Sequence, residues 1–218
     1  IDSLIADVEK YDLDGLNLDF ESLIKEAGVH YIEFIRELSI PCRQKGIILS
    51  VDNYVPAGYN SFYYLKEQGI VADYVIMMGY DEHFAGGEAG SVSSINYVKN
   101  GIAGMLENVP REKLIGGVPF YTRLWTEAGD GTITSKAMGI AEEKRWVDNN
   151  QVELTWQADT AQYYGEVQTS DGAQFLWMEE ERSLKEKMNV IRQNDLAGVA
   201  CWKLGFEDSA AWDSIQWN

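Results

Sequence analysis

An eight-residue segment from Asp14 to Glu21 (Asp-Gly-Leu-Asn-Leu-Asp-Phe-Glu) constrains the fold of this chain most strongly. Its large apolar residues alternate with an amide and two carboxylates, which is the period-2 pattern of a β-strand with two different faces. The flanking segments Ile1–Tyr11 and Val29–Gln44 are helical in pattern. Because strands that alternate with helices form covered parallel sheets, we expect this strand and its carboxylates to be buried. Burial favours the protonated carboxyl, the form that a general acid needs.

The alternation of strands and helices continues along most of the chain. Strands of the parallel type are expected at Gly15–Glu21, Ile47–Val51, Tyr74–Tyr80, Lys113–Phe120 and Gly198–Leu204. From about residue 126 to residue 180 the alternation stops, and a helix and short antiparallel strands indicate an α+β module. In this module we expect a helix at Lys136–Asn149 and strands at Leu154–Trp156, Gln162–Val167 and Gln174–Met178.

The bulk composition excludes several classes of partner. The formal net charge of −17 repels nucleic-acid phosphates and disfavours adsorption onto anionic membranes, so we expect no nucleic-acid partner. No apolar run approaches the roughly 20 residues of a membrane span, which argues against membrane insertion. Cys42 and Cys201 lack metal-ligand spacing and lie in or beside apolar runs, so two buried free thiols are expected rather than a disulfide.

The acidic segment resembles the signature of the family-18 glycoside hydrolases, the chitinase-like group, whose pattern is D-x-x-D-x-D-x-E on barrel strand 4. Three later segments resemble further motifs of that family in the same order: Met78–Asp81 (strand 6), Gly117–Tyr121 (strand 7) and Gly198–Trp202 (strand 8). The resemblance implies an α/β fold, namely a partial (β/α)8 TIM barrel comprising strands 4 to 8, with a small α+β insertion after strand 7.

On this resemblance, residues 1–125 hold barrel strands 4 to 7 with their helices, residues 126–180 form the insertion, and residues 181–218 hold helix 7, strand 8 and the C-terminal segment. A closed barrel has eight strands. We therefore expect the strands at 15–21 and 198–204 to be open sheet edges, through which the chain can self-associate. The first residues are neither a signal peptide nor a start methionine. We expect a fragment of a longer protein, with little activity on its own.

Within the family, the chain is more similar to bacterial cell-wall and spore-germination glycosidases. Four features carry this similarity: Asn17 in place of the second acid, the Tyr80–His83 extension, the run Pro119–Trp125, and Trp202–Gly205. The subgroup implies a peptidoglycan-type glycan in preference to chitin. It also implies an extracytoplasmic location, secreted or in the cell wall or spore envelope.

The resemblance implies a retaining, substrate-assisted mechanism that requires neither a cofactor nor a metal. Glu21 would be the general acid/base that protonates the glycosidic oxygen. Asp19 lies two residues back on the same face, where its like charge favours the protonated form of Glu21. In the resembled enzymes it also orients the N-acetyl group that attacks the anomeric carbon. Tyr80 would donate a hydrogen bond to the acetamido oxygen.

Further residues are expected to bind the polysaccharide or oligosaccharide of N-acetylated sugars rather than to react. Trp202 offers an apolar face for a pyranose ring, and Tyr121 and Arg123 are candidates for sugar hydroxyls. The expected substrate-binding residues are Asp14, Asn17, Met78, Asp81, Tyr121, Arg123 and Trp202. Asn17 departs from the family pattern, because an amide keeps the shape and hydrogen bonds of the acid but removes one negative charge.

Alternatives remain open on the sequence alone. A lectin-like module would bind glycan without cleaving it, but such relatives typically lack the acid, and Asp19 and Glu21 are both retained. An inactive scaffold domain would do neither. The acidic segment by itself could also hold Ca²⁺ or Mg²⁺. The aromatic residues between 54 and 64 either line a sugar groove or pack their own loop, His83 is expected to line the groove, and the acidic run 179–181 is expected to be solvated.

Overall fold

The computed structural model describes residues 1–170 and 172–217. Its helices are α1 (Asp2–Tyr11), α2 (Gly28–Lys45), α3 (Leu65–Val71), α4 (Ile95–Leu106), α5 (Ile140–Asn150), α6 (Glu181–Gln193) and α7 (Ser209–Ser214). Its strands are β1 (Gly15–Leu18), β2 (Ile48–Tyr54), β3 (Tyr74–Met78), β4 (Leu114–Pro119), β5 (Tyr121–Glu127), β6 (Ile133–Gly139), β7 (Leu154–Gln157), β8 (Gln162–Thr169), β9 (Gly172–Trp177) and β10 (Gly198–Trp202). In the described part of the chain, no helix is both long and apolar enough to cross a membrane.

The strands form two five-stranded sheets. The first has the order β1-β2-β3-β4-β10, and its β1–β2 and β2–β3 pairs are parallel, as the alternation with helices predicts. In this order β1 and β10 each have one hydrogen-bonded neighbour, which agrees with their expected edge positions. The second sheet has the order β6-β5-β9-β8-β7 and is antiparallel.

The chain divides into two compact units. The first comprises Ile1–Met78, Gly101–Gly116 and Asp195–Gly198, and the second comprises the rest of the described residues. In the first unit, α2 places one apolar stripe in the core, because its buried residues recur every three or four positions. These residues are Tyr31, Ile35, Leu38 and Cys42, and the core of the unit also contains Leu49, Val51, Val75 and Met77.

The acidic strand is shorter and less buried than its sequence predicts. β1 ends at Leu18, so Asp19 and Glu21 follow the strand instead of belonging to it, and both are exposed. Phe20, expected on the buried face, is 47% exposed. Ser22, the residue after Glu21, has φ 56°, in the left-handed region. The prediction that both carboxylates are buried is therefore wrong, because the alternating pattern continues to Glu21 whereas the hydrogen-bonded strand ends at Leu18.

The thiol prediction holds in part. Cys42 and Cys201 are both free, as expected. Cys42 is buried in the first unit, but Cys201 is only half-buried.

In the second unit, the sequence predicts three of the antiparallel strands and misses two. β5 and β6 form a hairpin in which Tyr121 pairs with Gly139 and Glu127 with Ile133. The predicted helix at Lys136–Asn149 begins only at Ile140, since the pairing with β5 holds residues 133–139 in a strand. Short segments such as β6 carry little periodic signal, and the neighbouring strand decides their conformation.

A buried polar cluster lies in the second unit. Glu179, Lys187 and Glu143 are 0%, 1% and 0% exposed. Lys187 Nζ lies 2.9 and 2.8 Å from the two carboxylate oxygens of Glu179, which also accepts hydrogen bonds from Ser183 Oγ (2.7 Å) and Gln162 Nε2 (3.1 Å). The expectation that the acidic run 179–181 is a solvated face is thus wrong for Glu179, since an ion pair compensates its burial.

Glu143 makes the stability of the protein depend on pH. Its Oε2 accepts the backbone N–H of Glu179 at 3.2 Å, while Oε1 has no partner within the described residues. Burial, reinforced by the charge of Glu179, raises the pKa of Glu143 well above its ordinary value. The pKa of this carboxyl is higher in the folded than in the unfolded state. The free energy of unfolding therefore falls as the pH rises above the pKa of the unfolded state. We therefore expect Glu143→Gln to stabilise the protein more at pH 8 than at pH 5.

Urea unfolding of Glu143→Gln and of the parent at both pH values measures this difference. Glu186→Gln, at an exposed position of α6, makes the same charge change and serves as the control. A stability difference for Glu143→Gln that is the same at pH 5 and at pH 8 would contradict the prediction.

Candidate functional site

Polar side chains collect at the carboxyl end of β1 and on β2. The parallel register aligns Asn17 with Ser50, so the side chains of Asn17, Asp52 and Tyr54 project from one face of the sheet. Asp19 and Glu21 follow the last residue of β1. The carboxyl ends of strands are where α/β proteins build their active sites. The first unit therefore has an acidic group at the expected end of its sheet.

Two tyrosines fix the acidic segment. The Tyr54 hydroxyl donates to Glu21 Oε2 at 3.0 Å and accepts the backbone N–H of Ser22 at 3.0 Å. The Tyr63 hydroxyl donates to the carbonyl of Phe20 at 3.2 Å and accepts the N–H of Leu23 at 3.3 Å. Burial raises the pKa of both tyrosines, so the hydroxyls remain donors near neutral pH. Part of the aromatic run 54–64 thus holds Glu21 in place.

Asp52 is a half-buried carboxyl that sequence reasoning missed. Asn17 Nδ2 donates to Asp52 Oδ2 at 3.0 Å, and Ser50 Oγ donates to Asn17 Oδ1 at 3.1 Å. Burial raises the pKa of Asp52 to about 6; the hydrogen bond from Asn17 opposes this rise, and the charges of Asp19 and Glu21 add to it. The sequence signal that could have indicated Asp52 is the alternation of polar residues at 50, 52 and 54 with the buried residues Val51 and Asn53.

A pocket opens beside these tyrosines in the first unit. Its volume is about 370 Å³, which is large enough for part of a sugar chain. Aromatic rings and a few polar groups surround it: Ser22, Leu23, Tyr54, Tyr59, Asn60, Phe62 and Tyr63. Tyr59 is 78% exposed, so its ring is available to a ligand.

The second unit holds an aromatic cluster around Tyr121, the first residue of β5. The Tyr121 hydroxyl donates to Asp81 Oδ1 at 2.5 Å. The ring centres of Tyr121 and Trp202 are 5.1 Å apart, and Tyr80 lies 6.2 Å from Tyr121 and 6.4 Å from Trp202. Burial raises the pKa of Tyr121, and the hydrogen bond to Asp81 adds to this rise. Tyr121 therefore acts as a fixed donor that orients Asp81.

Trp202 presents an indole face at the edge of this cluster. It is 41% exposed and packs edge-to-face on Phe206, with ring centres 5.6 Å apart. Lys203 Nζ lies 4.7 Å from the centre of the Phe206 ring and 5.4 Å from that of Trp202. The sequence feature Trp202–Gly205 included Lys203, but it did not indicate Phe206. An exposed indole beside a cation fits a sugar that carries an acidic substituent.

Arg123 lies on β5, two residues beyond Tyr121. Its Nη1 donates to Ser135 Oγ at 3.1 Å, and its charge partly offsets the raised pKa of Tyr121. Its Nε is buried, and no described residue accepts a hydrogen bond from it. The guanidinium is therefore anchored to β6 through Nη1.

Glu82 and His83, the last two residues of the Tyr80–His83 extension, form hydrogen bonds within their own loop. Glu82 accepts the backbone N–H and the hydroxyl of Ser94 at 2.8 and 3.1 Å. His83 Nδ1 lies 2.8 Å from the carbonyl of Ser91. These contacts hold residues 82–94 together, so His83 is bonded to its own loop.

The structure thus gathers most of the expected residues into one cluster in each unit. In the first unit Asn17, Asp19 and Glu21 lie together, and Met78 is paired in register with Tyr54. Asp14 precedes β1 at the opposite end of the strand, where its carbonyl accepts the N–H of Ile48 at 3.0 Å. The second unit brings together Tyr80, Asp81, Tyr121, Arg123 and Trp202. Among residues 1–170 and 172–217, no group of three or more His, Cys, Asp and Glu side chains could hold a metal ion.

Comparison with protein families gives one match over nearly the whole chain. The description of the matching family is "Glycosyl hydrolases family 18", and the match covers residues 1–207. Among curated proteins, the uncharacterized glycosylase YvbX of Bacillus subtilis is 29% identical, over 99% of this chain and 64% of its own length. The cortical fragment-lytic enzyme of Bacillus subtilis is 24% identical, over 97% and 51%. The chain therefore spans about half to two thirds of these curated relatives.

Solved structures give the same fold. The chitinase from Chromobacterium violaceum superposes with a TM-score of 0.91 at 22% identity, over 97% of this chain and 68% of that one. The spore cortex-lytic enzyme SleL from Bacillus megaterium superposes with a TM-score of 0.88 at 21% identity, over 98% and 51%. At this level of identity the likeness concerns the fold alone.

Proposed function

Because this chain belongs to the glycosyl hydrolases of family 18, we propose that the protein cleaves glycans that contain β-1,4-linked N-acetylglucosamine. The observation that carries the proposal is the placement of Glu21, exposed just beyond β1 with its carboxyl held by the Tyr54 hydroxyl at 3.0 Å. Peptidoglycan-type glycan is favoured over chitin, because the similar curated proteins include the cortical fragment-lytic enzyme. The same name favours action outside the cytoplasm.

The proposed mechanism retains the configuration of the anomeric carbon. Protonated Glu21 donates its proton to the glycosidic oxygen while the acetamido oxygen of the substrate attacks the anomeric carbon, which breaks the glycosidic bond. The resulting Glu21 carboxylate then takes a proton from the water that opens the cyclic intermediate. Asp19 orients the acetamido group, and the two tyrosine hydroxyls support this role by fixing the segment that carries both acids.

The proposed roles in the second unit concern the sugar. Tyr80 donates to the acetamido oxygen, Asp81 accepts from a sugar hydroxyl, and Trp202 stacks on a pyranose ring. The hydrogen bond from Tyr121 supports the role of Asp81. It is made to Oδ1, so Oδ2 is the oxygen proposed to accept from the sugar hydroxyl. Arg123 donates to a neighbouring sugar substituent.

We also propose the finer assignment of the fold. In it, β1 to β4 and β10 correspond to barrel strands 4 to 8, and residues 126–180 form an insertion after strand 7. Self-association through β1 and β10 remains part of this proposal, since each has one hydrogen-bonded neighbour in the sheet order.

Product analysis tests the proposed activity. We expect the full-length protein to release new reducing ends from N-acetylglucosamine oligosaccharides and from peptidoglycan glycan strands, with the β-anomer appearing first in proton NMR spectra. Calorimetric titration with the same oligosaccharides provides the companion measurement. Binding without product would instead establish the lectin-like alternative, and neither binding nor product would establish a scaffold domain. Initial release of the α-anomer would exclude the retaining mechanism.

A further inference from the structure

The tyrosine-lined pocket of the first unit adjoins the proposed general acid. Tyr54 connects the two, because it lines the pocket while its hydroxyl donates to Glu21 Oε2 at 3.0 Å. Ser22, the residue after Glu21, lines the same pocket and donates its backbone N–H to the Tyr54 hydroxyl at 3.0 Å. A ligand in this pocket would therefore lie against the side chain that holds the Glu21 carboxyl.

The walls of the pocket are fixed by contacts within the first unit. The Tyr63 ring is 4% exposed and packs edge-to-face on Tyr54, with ring centres 6.0 Å apart. Asn60 is buried, and both ends of its amide are used. Its Oδ1 accepts the backbone N–H of Ala57 at 2.9 Å, and its Nδ2 donates to the carbonyl of Val55 at 2.9 Å. Because these walls are already held in place, a ligand loses little free energy in ordering them.

Tyr59 is the aromatic residue of these walls that the fold does not use. It is 78% exposed, and its side chain forms no hydrogen bond or ring contact with any residue that the structure describes. By contrast, the hydroxyls of Tyr54 and Tyr63 hold the segment after β1, and Phe62 packs on Tyr63 with ring centres 5.0 Å apart. An exposed aromatic ring that lines a pocket offers its face to a ligand.

The lining of the pocket is aromatic and uncharged. None of the residues that line it carries a formal charge, although the chain as a whole has a net charge of −17. A charged substituent would therefore lose hydration in this pocket without gaining an ion pair. A pyranose ring has an apolar C–H face that packs on an aromatic ring, and the volume of about 370 Å³ accommodates such a ring. The occupant that fits this lining is a neutral sugar.

We propose that this pocket is a sugar-binding subsite, in which an uncharged pyranose ring of the glycan stacks on Tyr59. The inference rests on the proposed function and deepens it, because it gives the glycan a fixed contact beside Glu21. The subsite takes an N-acetylglucosamine ring and disfavours a sugar that bears a carboxylate. On a glycan in which these two kinds of sugar alternate, the subsite sets which of them lies next to Tyr54.

Tyr59→Ala removes the stacking face at an exposed position, so the variant should keep the urea unfolding midpoint of the parent. We make it in the full-length protein that carries Glu21→Gln, so that the ligand stays intact. We expect calorimetric affinity for the N-acetylglucosamine hexasaccharide to fall by roughly 5–20-fold. Equal affinities with and without Tyr59→Ala overturn the inference.

Two control variants identify the cause of this loss. Tyr59→Phe keeps the ring and removes the hydroxyl, so the affinity should stay within about twofold of the Glu21→Gln protein. Tyr11→Ala removes an exposed tyrosine of α1, which does not line the pocket, and should leave the affinity unchanged. If Tyr59→Phe loses as much affinity as Tyr59→Ala, the hydroxyl binds the sugar and the stacking role is overturned.

A carboxylated ligand tests the neutral character of the subsite. We expect an oligosaccharide in which every sugar bears a lactyl carboxylate to show no affinity that depends on Tyr59. A Tyr59-dependent affinity for this ligand overturns the assignment of a neutral sugar.

Turnover by the full-length parent separates this inference from the proposed function. Hexasaccharide binding that depends on Tyr59 in a protein without turnover supports the subsite and overturns the proposed function. Turnover by the parent, together with affinities that Tyr59→Ala leaves unchanged, overturns the subsite and supports the proposed function.

Discussion

Glu21→Gln is expected to lower kcat on N-acetylglucosamine oligosaccharides by about 10²–10⁴-fold, which is the usual contribution of a positioned general acid. Glutamine has nearly the same shape, and its amide oxygen can still accept the hydrogen bond that Tyr54 donates to Glu21. The variant lacks only the proton that the glycosidic oxygen requires. We therefore expect calorimetric affinity for the same oligosaccharides to stay within about threefold of the parent, so that the loss appears in kcat.

Glu26→Gln is the matched control for this prediction. Glu26 is exposed in the short 3₁₀ helix Lys25–Ala27, five residues beyond Glu21, and the substitution makes the same change of charge. Its kcat should stay within about twofold of the parent. Turnover by Glu21→Gln within about threefold of the parent would assign the proton transfer to another group. A parallel loss of binding would instead indicate that Glu21 holds the sugar.

The sequence predicted the family motifs and the parallel strands, because both are determined by residues close together in the chain. The family resemblance, carried by Asp14–Glu21 and three later motifs, is confirmed by the match over residues 1–207. The parallel strands lie where apolar runs and flanking helices place them, as β3 at Tyr74–Met78 does. The motif residues Tyr80, Asp81, Tyr121 and Trp202 meet because each lies at one end of a strand or just beyond it.

The features that were missed depend on residues distant in sequence. β1 ends at Leu18, and the segment beyond it is held by Tyr54 and Tyr63, which lie more than 30 positions away. The hydrogen bond between Asn17 and Asp52 depends on the parallel register of β1 and β2, which the pattern of neither strand alone specifies. β6 is a strand only because β5 pairs with it. In each case a tertiary contact overrides or completes the local signal.

Lys187→Met is expected to lower the free energy of unfolding at pH 7 by about 3–5 kcal/mol, because it leaves the buried carboxylate of Glu179 without its cation. The lysine is 1% exposed and contacts both carboxylate oxygens, at 2.9 and 2.8 Å. Burial already raises the pKa of Glu179, with Lys187 opposing the rise. Without the lysine this rise is larger, so stability falls further as pH increases. Urea unfolding at pH 5, 7 and 8 measures both effects.

Two further variants identify the cause of this loss. Lys136→Met removes the cation of an exposed pair, in which Lys136 Nζ lies 2.6 Å from Glu142, and should cost at most about 1 kcal/mol. Glu179→Gln/Lys187→Met removes both charges, so it should be less destabilised than the two single variants added together. If Lys187→Met costs no more than Lys136→Met, water or another group must satisfy Glu179. If the double variant costs the sum of the singles, the lysine stabilises the unit through packing of its stem rather than through its charge.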